Sequence, residues 1–266
     1  MTNNRPFLYT VAKAIHTDFK SISPESAIVL PNRRSGVFLK KHFSEIIDGP
    51  TWLPDIFTIE EFVEQLTDSV IEEQIALVYK LYQKYKSHKK STESFDQFYY
   101  WGEMLLSDFD DIDKNMVETK FLFKNLASIK EYKELYSYLT EQQVKIITQF
   151  WENFNEENLS PEKENFISIW NVMQQIYDDF KEELRAEGVA YPGMLFREIG
   201  TQAKQKTIRE SYKKVFFVGH NALNVAEQQI FDYYSKNKRG VFFWDTDISF
   251  HSDNDYQAGF FIKENI

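Results

Sequence analysis

Three short apolar runs constrain this chain more than any other feature: Ala27-Ile28-Val29-Leu30, Val215-Phe216-Phe217-Val218 and Val241-Phe242-Phe243-Trp244. Each lacks polar side chains and stops at turn-forming residues: Pro31-Asn32, Gly219-His220-Asn221 and Asp245-Thr246-Asp247. Strands apolar on both sides belong to parallel sheets covered by helices on both faces. A helical pattern from about Asn224 to Ser235 joins the second and third runs, which predicts a βαβ unit. The first run is followed by a helix from about Ser35 to Ile47, ended by Asp48-Gly49-Pro50, and by an extended segment, Trp52 to Phe57.

The stretch between these ends reads differently. Thr58 with Glu61 three residues on is a capping-box start. Helices are expected over Glu72–Tyr85, Ser94–Leu106, Glu141–Phe154 and Phe166–Glu187, with Gly188 as C-cap. A short helix over Tyr191–Ala203 follows. The expectation is an α/β fold, a parallel sheet with helices on both faces, split by a large all-helical inserted domain. Residues 1–57 and 190–266 would form the discontinuous α/β domain and 58–189 the insertion.

The net charge of −10 is unevenly spread. Residues 1–50 and 201–250 are each net +3, whereas 51–200 are net −14. Such asymmetry points to separate surfaces with separate partners, or to a surface varied for solubility alone. The chain has no Cys, which excludes a disulfide scaffold, a thiolate metal site and a cysteine nucleophile within it. No run approaches the ~18 apolar residues of a membrane helix. Met1 to Tyr9 makes a poor signal peptide. A cytoplasmic protein with no membrane partner is expected.

Leu30-Pro31-Asn32-Arg33-Arg34-Ser35-Gly36-Val37-Phe38 stands where a phosphate-binding loop would. Such a loop wraps phosphates in Gly-rich backbone, with a Lys and a Mg²⁺-binding hydroxyl. Here Val37 and Phe38 take those two places. Arg33, Arg34, Ser35 and Gly36 at a helix start remain candidates for binding an anion, nucleic-acid phosphate or nucleotide, against the alternative of surface charge. Gly219 and His220 follow the second run where an ATPase places carboxylates, so hydrolysis is not expected; His220 otherwise reads as a turn residue with a local hydrogen bond. No cofactor and no metal are expected in this chain.

Other patterns are weaker. Asp245-Thr246-Asp247 imitates an aspartyl-phosphate loop, and a phosphotransferase using Asp245 and Asp247 is one alternative. Asp108, Asp110, Asp111 and Asp113 read as a helix-end loop; an EF-hand would need a Gly and a Glu that are missing. Asp55 is not followed nearby by the acid-x-Lys of a nuclease. Phe95, Phe98, Tyr99, Tyr100 and Trp101, like Trp151 and Phe154, read as core rather than as stacking platforms.

In combination, Ile28 to Gly36, Ser94 to Glu103, Asp108 to Asp113, Val215 to Glu227 and Val241 to Asp247 resemble AddB/RexB-like proteins of the Bacteroidetes PD-(D/E)XK nuclease family. The resemblance covers most of the chain. It implies a P-loop-helicase-like sheet, split by a helical insertion, in a degenerate superfamily I motor region. The family processes DNA ends in double-strand break repair with a helicase–nuclease partner subunit. The implied role is a non-catalytic DNA-binding scaffold, with DNA and that subunit as partners. The nuclease would lie outside this chain, which reads as a domain fragment. A free-standing helical protein–protein adaptor is the main alternative.

Overall fold

A computed structural model describes residues 5–17, 24–124, 161–209 and 212–245, with side chains for these except 121, 124 and 161–171. The elements in order are α1 (Phe7–Thr17), β1 (Ser26–Leu30), α2 (Arg33–Ile46), β2 (Asp55–Thr58), α3 (Ile59–Gln65), β3 (Val70–Ile71), α4 (Gln74–Lys89) and α5 (Phe95–Lys114). They continue with α6 (Thr119–Lys124), α7 (Pro161–Glu187), β4 (Val189–Ala190), α8 (Pro192–Gln205), β5 (Lys214–Val218), α9 (Val225–Lys236) and β6 (Gly240–Phe243). The chain divides into two compact units, residues 1–67 with 199–266 and residues 68–198.

The first unit is built on a four-stranded parallel sheet in the order β2-β1-β5-β6. The three apolar runs became its β1, β5 and β6, and the extended segment supplied β2. Alternate side chains of each strand serve opposite faces. On one face Ile28, Leu30, Phe216 and Val218 pack with Val11 and Ile15 of α1 and Leu39 and Phe43 of α2. On the other, Phe217 stacks on Phe242 at 5.2 Å and meets Phe62 of α3 and Phe231 of α9. The first border expected from sequence, 57–58, falls ahead of α3; burial of Phe62 against this sheet places α3 with the strands. Thr58 and Glu61 form the expected capping box, the Glu61 N–H donating to Thr58 Oγ1 at 3.2 Å and the Thr58 N–H to Glu61 Oε2 at 2.8 Å.

The second unit is not all-helical. β3 and β4 pair in parallel, Val70 with Val189 and Ile71 with Ala190. Two residues per strand are too few to leave a period in the sequence. Gly188 delivers the chain into β4, with φ +71° and its N–H on the Arg185 carbonyl at 3.1 Å. That left-handed backbone ends the helix before it. α4 and α7 are joined at four-residue steps by the ion pairs Lys80–Glu187 and Lys84–Glu183 and by a hydrogen bond from His88 Nε2 to Asp179 Oδ2 at 2.7 Å. α4 and α5 share an aromatic seam in which Tyr85 lies 4.9 Å from Phe98 and 5.4 Å from Trp101. The core reading therefore holds for Phe98, while Tyr100 is 74% exposed. Trp151 and Phe154, and the helix expected over 141–154, lie outside the described residues.

Candidate functional site

From β1 the chain turns through α2 to β2 on one side, and from β5 through α9 to β6 on the other. The connections diverge between β1 and β5, and a crevice opens beyond the carboxyl ends of strands at such a switch point. A crevice of about 520 Å³ lies there. Leu30 and Pro31, Val218 and Gly219, and Asp245 line it from the strand ends. Phe7 and Leu8 close it from the start of α1; Ser35, Phe38, Lys41 and His42 line it from α2. Its walls are mainly apolar, and its charges come from the side chains of α2 and from Asp245.

The β1–α2 turn explains what this crevice cannot do. Only Pro31 and Asn32 separate strand from helix. Pro31 carries no N–H. Asn32 caps α2, its side-chain oxygen accepting from the Ser35 N–H at 2.9 Å and from Ser35 Oγ at 3.1 Å. Of the amides that a phosphate-wrapping loop would offer, Pro31 has none and that of Ser35 is engaged.

The sequence-derived residues fall into different places around this turn. Arg33 is 83% exposed, but its guanidinium is held on Glu61 Oε1 at 2.8 Å, tying the start of α2 to the start of α3. The Glu61 carboxyl is held below its usual range by the Thr58 backbone N–H first, against the opposing effect of burial, with Arg33 adding to the lowering. Arg34 lies over the Phe38 ring, 5.8 Å from its centroid. Ser35 faces the crevice. Gly36 is buried against the sheet: a Cβ there would sit 3.4 Å from Ile56 Cγ2 and 3.7 Å from Leu30 Cδ1. It is a packing glycine of α2 rather than part of a loop.

Gly219 and His220 depart from the simple turn expected. Gly219 has φ +70°, donates its N–H to the Phe243 carbonyl at 2.8 Å, and lies under the Phe7 ring. His220 is 5% exposed, and its bond is not local. Its Nε2–H donates to the Val29 carbonyl on β1 at 3.2 Å. Its ring meets Phe231 edge-on at 5.1 Å. Burial pulls its pKa down to about 4, outweighing the Val29 bond, so the ring is neutral at neutral pH. Of the pair Asp245 and Asp247, the first lines the crevice and the second lies outside the described residues.

The residues that sequence reasoning missed here are Phe7, Phe38, Lys41 and His42. Arg34, Phe38 and Lys41 are spaced to share one helix face, which was the available signal. Val37 (68% exposed) and Phe38 (45% exposed) are unusual as bare apolar residues beside cations. Lys40 and Lys41 are exposed on the same helix. His42 donates from Nδ1 to Glu45 Oε2 at 3.1 Å and packs edge-on against Tyr9.

The acidic cluster is corrected outright: Asp108 to Asp113 are the last turns of α5, not a loop. Asp113 is fully buried. Its carboxylate accepts from Lys181 Nζ at 2.7 and 2.9 Å, from Arg197 Nε, and from the hydroxyls of Tyr177 and Tyr191. Arg197 Nη2 also donates to the carbonyls of Ile112 (2.9 Å) and Val117 (2.7 Å), past the end of the helical hydrogen bonding. Burial lowers the Lys181 pKa to about 8 although Asp113 opposes it. Burial and then Asp113 raise both tyrosines. Asp108 is raised to about 7 by burial and then by Asp111. Among the described residues no cluster of three or more His, Asp or Glu is arranged to hold a metal ion. No described helix is long and apolar enough to cross a membrane.

Compared with known proteins, the chain matches no family model and no curated protein.

Proposed function

We propose that this chain is a non-catalytic, helicase-like DNA-binding scaffold of a double-strand break repair helicase–nuclease, with DNA and a partner subunit as its ligands. The observation that carries the reading is the β1–α2 turn. It follows β1 at the switch point, where a motor of this class would cradle phosphate, yet it is two residues long, Pro31 has no N–H, and the Ser35 N–H is engaged by Asn32. Beside it, α2 presents Arg34 and Lys41 on one face with the exposed Phe38, and Lys40 elsewhere on the same helix. Cations flanking a bare aromatic ring suit a nucleic-acid backbone and its bases. The family resemblance of the sequence supports the same reading, and cytoplasmic location follows from it.

The test is equilibrium binding of the chain to DNA across a salt series, with ATP turnover measured in parallel. The expected result is salt-sensitive binding with a log–log slope of about −0.9 per duplex phosphate contact, or about −0.7 for a single strand, and no turnover. Salt-independent binding, or DNA-stimulated ATP hydrolysis, would overturn the proposal.

A second reading is a protein–protein adaptor, and one observation favours it. In the helical unit Ile75 and Tyr79 of α4 and Tyr100 and Met104 of α5 are exposed at 39–74%. Large apolar residues left bare at four-residue spacing suit a partner helix. Partner capture that is unaffected by DNA and lost on Tyr79→Ser with Tyr100→Ser would favour it.

A further inference from the structure

The crevice over β1 and β5 has a chemistry more specific than a cationic surface. We infer that it takes a single nucleobase carrying one phosphate, an inference that rests on the DNA-binding reading and narrows it to unstacked nucleotides. Its volume of about 520 Å³ falls within the range of small-ligand sites. Phe7, Leu8, Leu30 and Val218 supply apolar walls, which suit the flat faces of a base.

Phe38 stands at the edge, 45% exposed, with the Arg34 guanidinium over its ring. Lys41 lines the crevice one turn further along the same helix. A phosphate attached to a base in the crevice therefore meets Lys41 by side chain. Longer phosphate chains have no comparable cradle, because Pro31 has no N–H and the Ser35 N–H is spent on Asn32. Asp245 places a carboxylate on another wall, which disfavours phosphate there and can accept from a base N–H, such as N3–H of thymine. A base in intact duplex is stacked and paired, so a single strand, a frayed end or a free nucleotide is the source that fits.

The experiment is fluorescence-anisotropy titration of the whole chain with labelled oligothymidylate of about twelve residues, the lengths typical of single-strand sites. An abasic strand of the same length and charge is the control, and thymidine monophosphate is the competitor. The expected result is roughly tenfold weaker binding of the abasic strand, the size of one lost base stack. Phe38→Ala should shrink that difference, and Phe38→Tyr should retain it; Phe38 is exposed enough for both variants to fold. Competition by the mononucleotide assigns the crevice to a free nucleotide; its failure assigns it to the strand, and both support a base site. Equal affinity for abasic and base-bearing strands would overturn the inference and leave salt-sensitive DNA binding standing. Absence of binding to every probe would overturn both.

Discussion

In residues 1–67 and 199–266, cationic side chains lie exposed along α2, and the buried ring of His220 is neutral. In residues 68–198, Asp113 and Lys181 are 0% and 3% exposed and are locked together with Arg197 and two tyrosines. The two units thus spend charge differently. A cation meant to meet an external anion must stay hydrated until the ligand arrives. A cation meant to fix helices is buried with its partner already in place, and the geometry holds only while every member is present. The acidic surplus of the middle of the chain is partly neutralised within the unit, in the buried Asp113 cluster and in the part-exposed Lys80–Glu187 and Lys84–Glu183 pairs.

The sharpest way to break this contrast is to remove the carboxylate. Asp113→Ala leaves Lys181 and Arg197 without their buried counter-charge and should cost the helical unit about 3–5 kcal/mol. Urea unfolding followed by hydrogen exchange should show amides of α5 and α8 opening first, while β1 and β5 keep their protection. Loss of protection in both units together would mean that they do not fold as separate units.

His220 and Lys181 both have lowered pKa values, so each makes its own unit more stable as pH rises, in a different pH window. His220 has a folded pKa of about 4, below its ordinary 6.5, so the unfolded state binds more protons between these values. The sheet unit should lose up to about 3 kcal/mol as pH falls from 6.5 to 4, and His220→Phe should flatten that slope. Lys181 has a folded pKa of about 8, below its ordinary 10.5. The helical unit should therefore gain stability as pH rises from 8 towards 10. Above 10 the raised tyrosines Tyr177 and Tyr191 reverse the trend, because the folded state then holds more protons than the unfolded one. Thermal melts across pH, read per unit by exchange, check both slopes.

Gly193 is a smaller lever on the same unit. A Cβ there would sit 2.4 Å from the Asp110 carbonyl oxygen, while its N–H donates to Asp110 Oδ1 at 2.5 Å. Gly193→Ala should cost about 1–3 kcal/mol through forced separation of α8 from α5. Gly49, where a Cβ meets nothing within 4 Å, is the control on the sheet unit, its φ of +91° leaving only backbone strain.

The smallest effects should separate the two arginines. Arg34→Ala should lower DNA affinity several-fold and reduce the salt slope by about one. Arg33→Ala should do less, because its guanidinium is committed to Glu61. Equal effects would mean that the Arg33–Glu61 pair opens on binding.

What the sequence disclosed follows from how each feature is encoded. β1 and β5 were legible because a strand buried on both faces leaves an unbroken apolar run, and β6, half-buried at the sheet edge, has apolar contacts on both faces. β2, with Asp55 exposed at an edge, showed only as an extended segment. The Asp113 cluster was hidden for two reasons. Four acids at the end of a helix oppose its dipole, so they read as a loop. The groups that reverse this, Lys181 and Arg197, lie 68 and 84 residues away. His220 was misjudged likewise, since its partner Val29 is 191 residues distant. Arg33 and Arg34 were visible as a pair, but their unequal partners were not.

The central claim is that DNA meets the exposed face of α2 and not the helical unit. Hydrogen exchange of the chain with and without a saturating single-stranded oligonucleotide tests it directly. The account predicts protection concentrated in residues 31–42, with none added in α4 and α5. Protection centred on α4 and α5, or no change in α2, would contradict it.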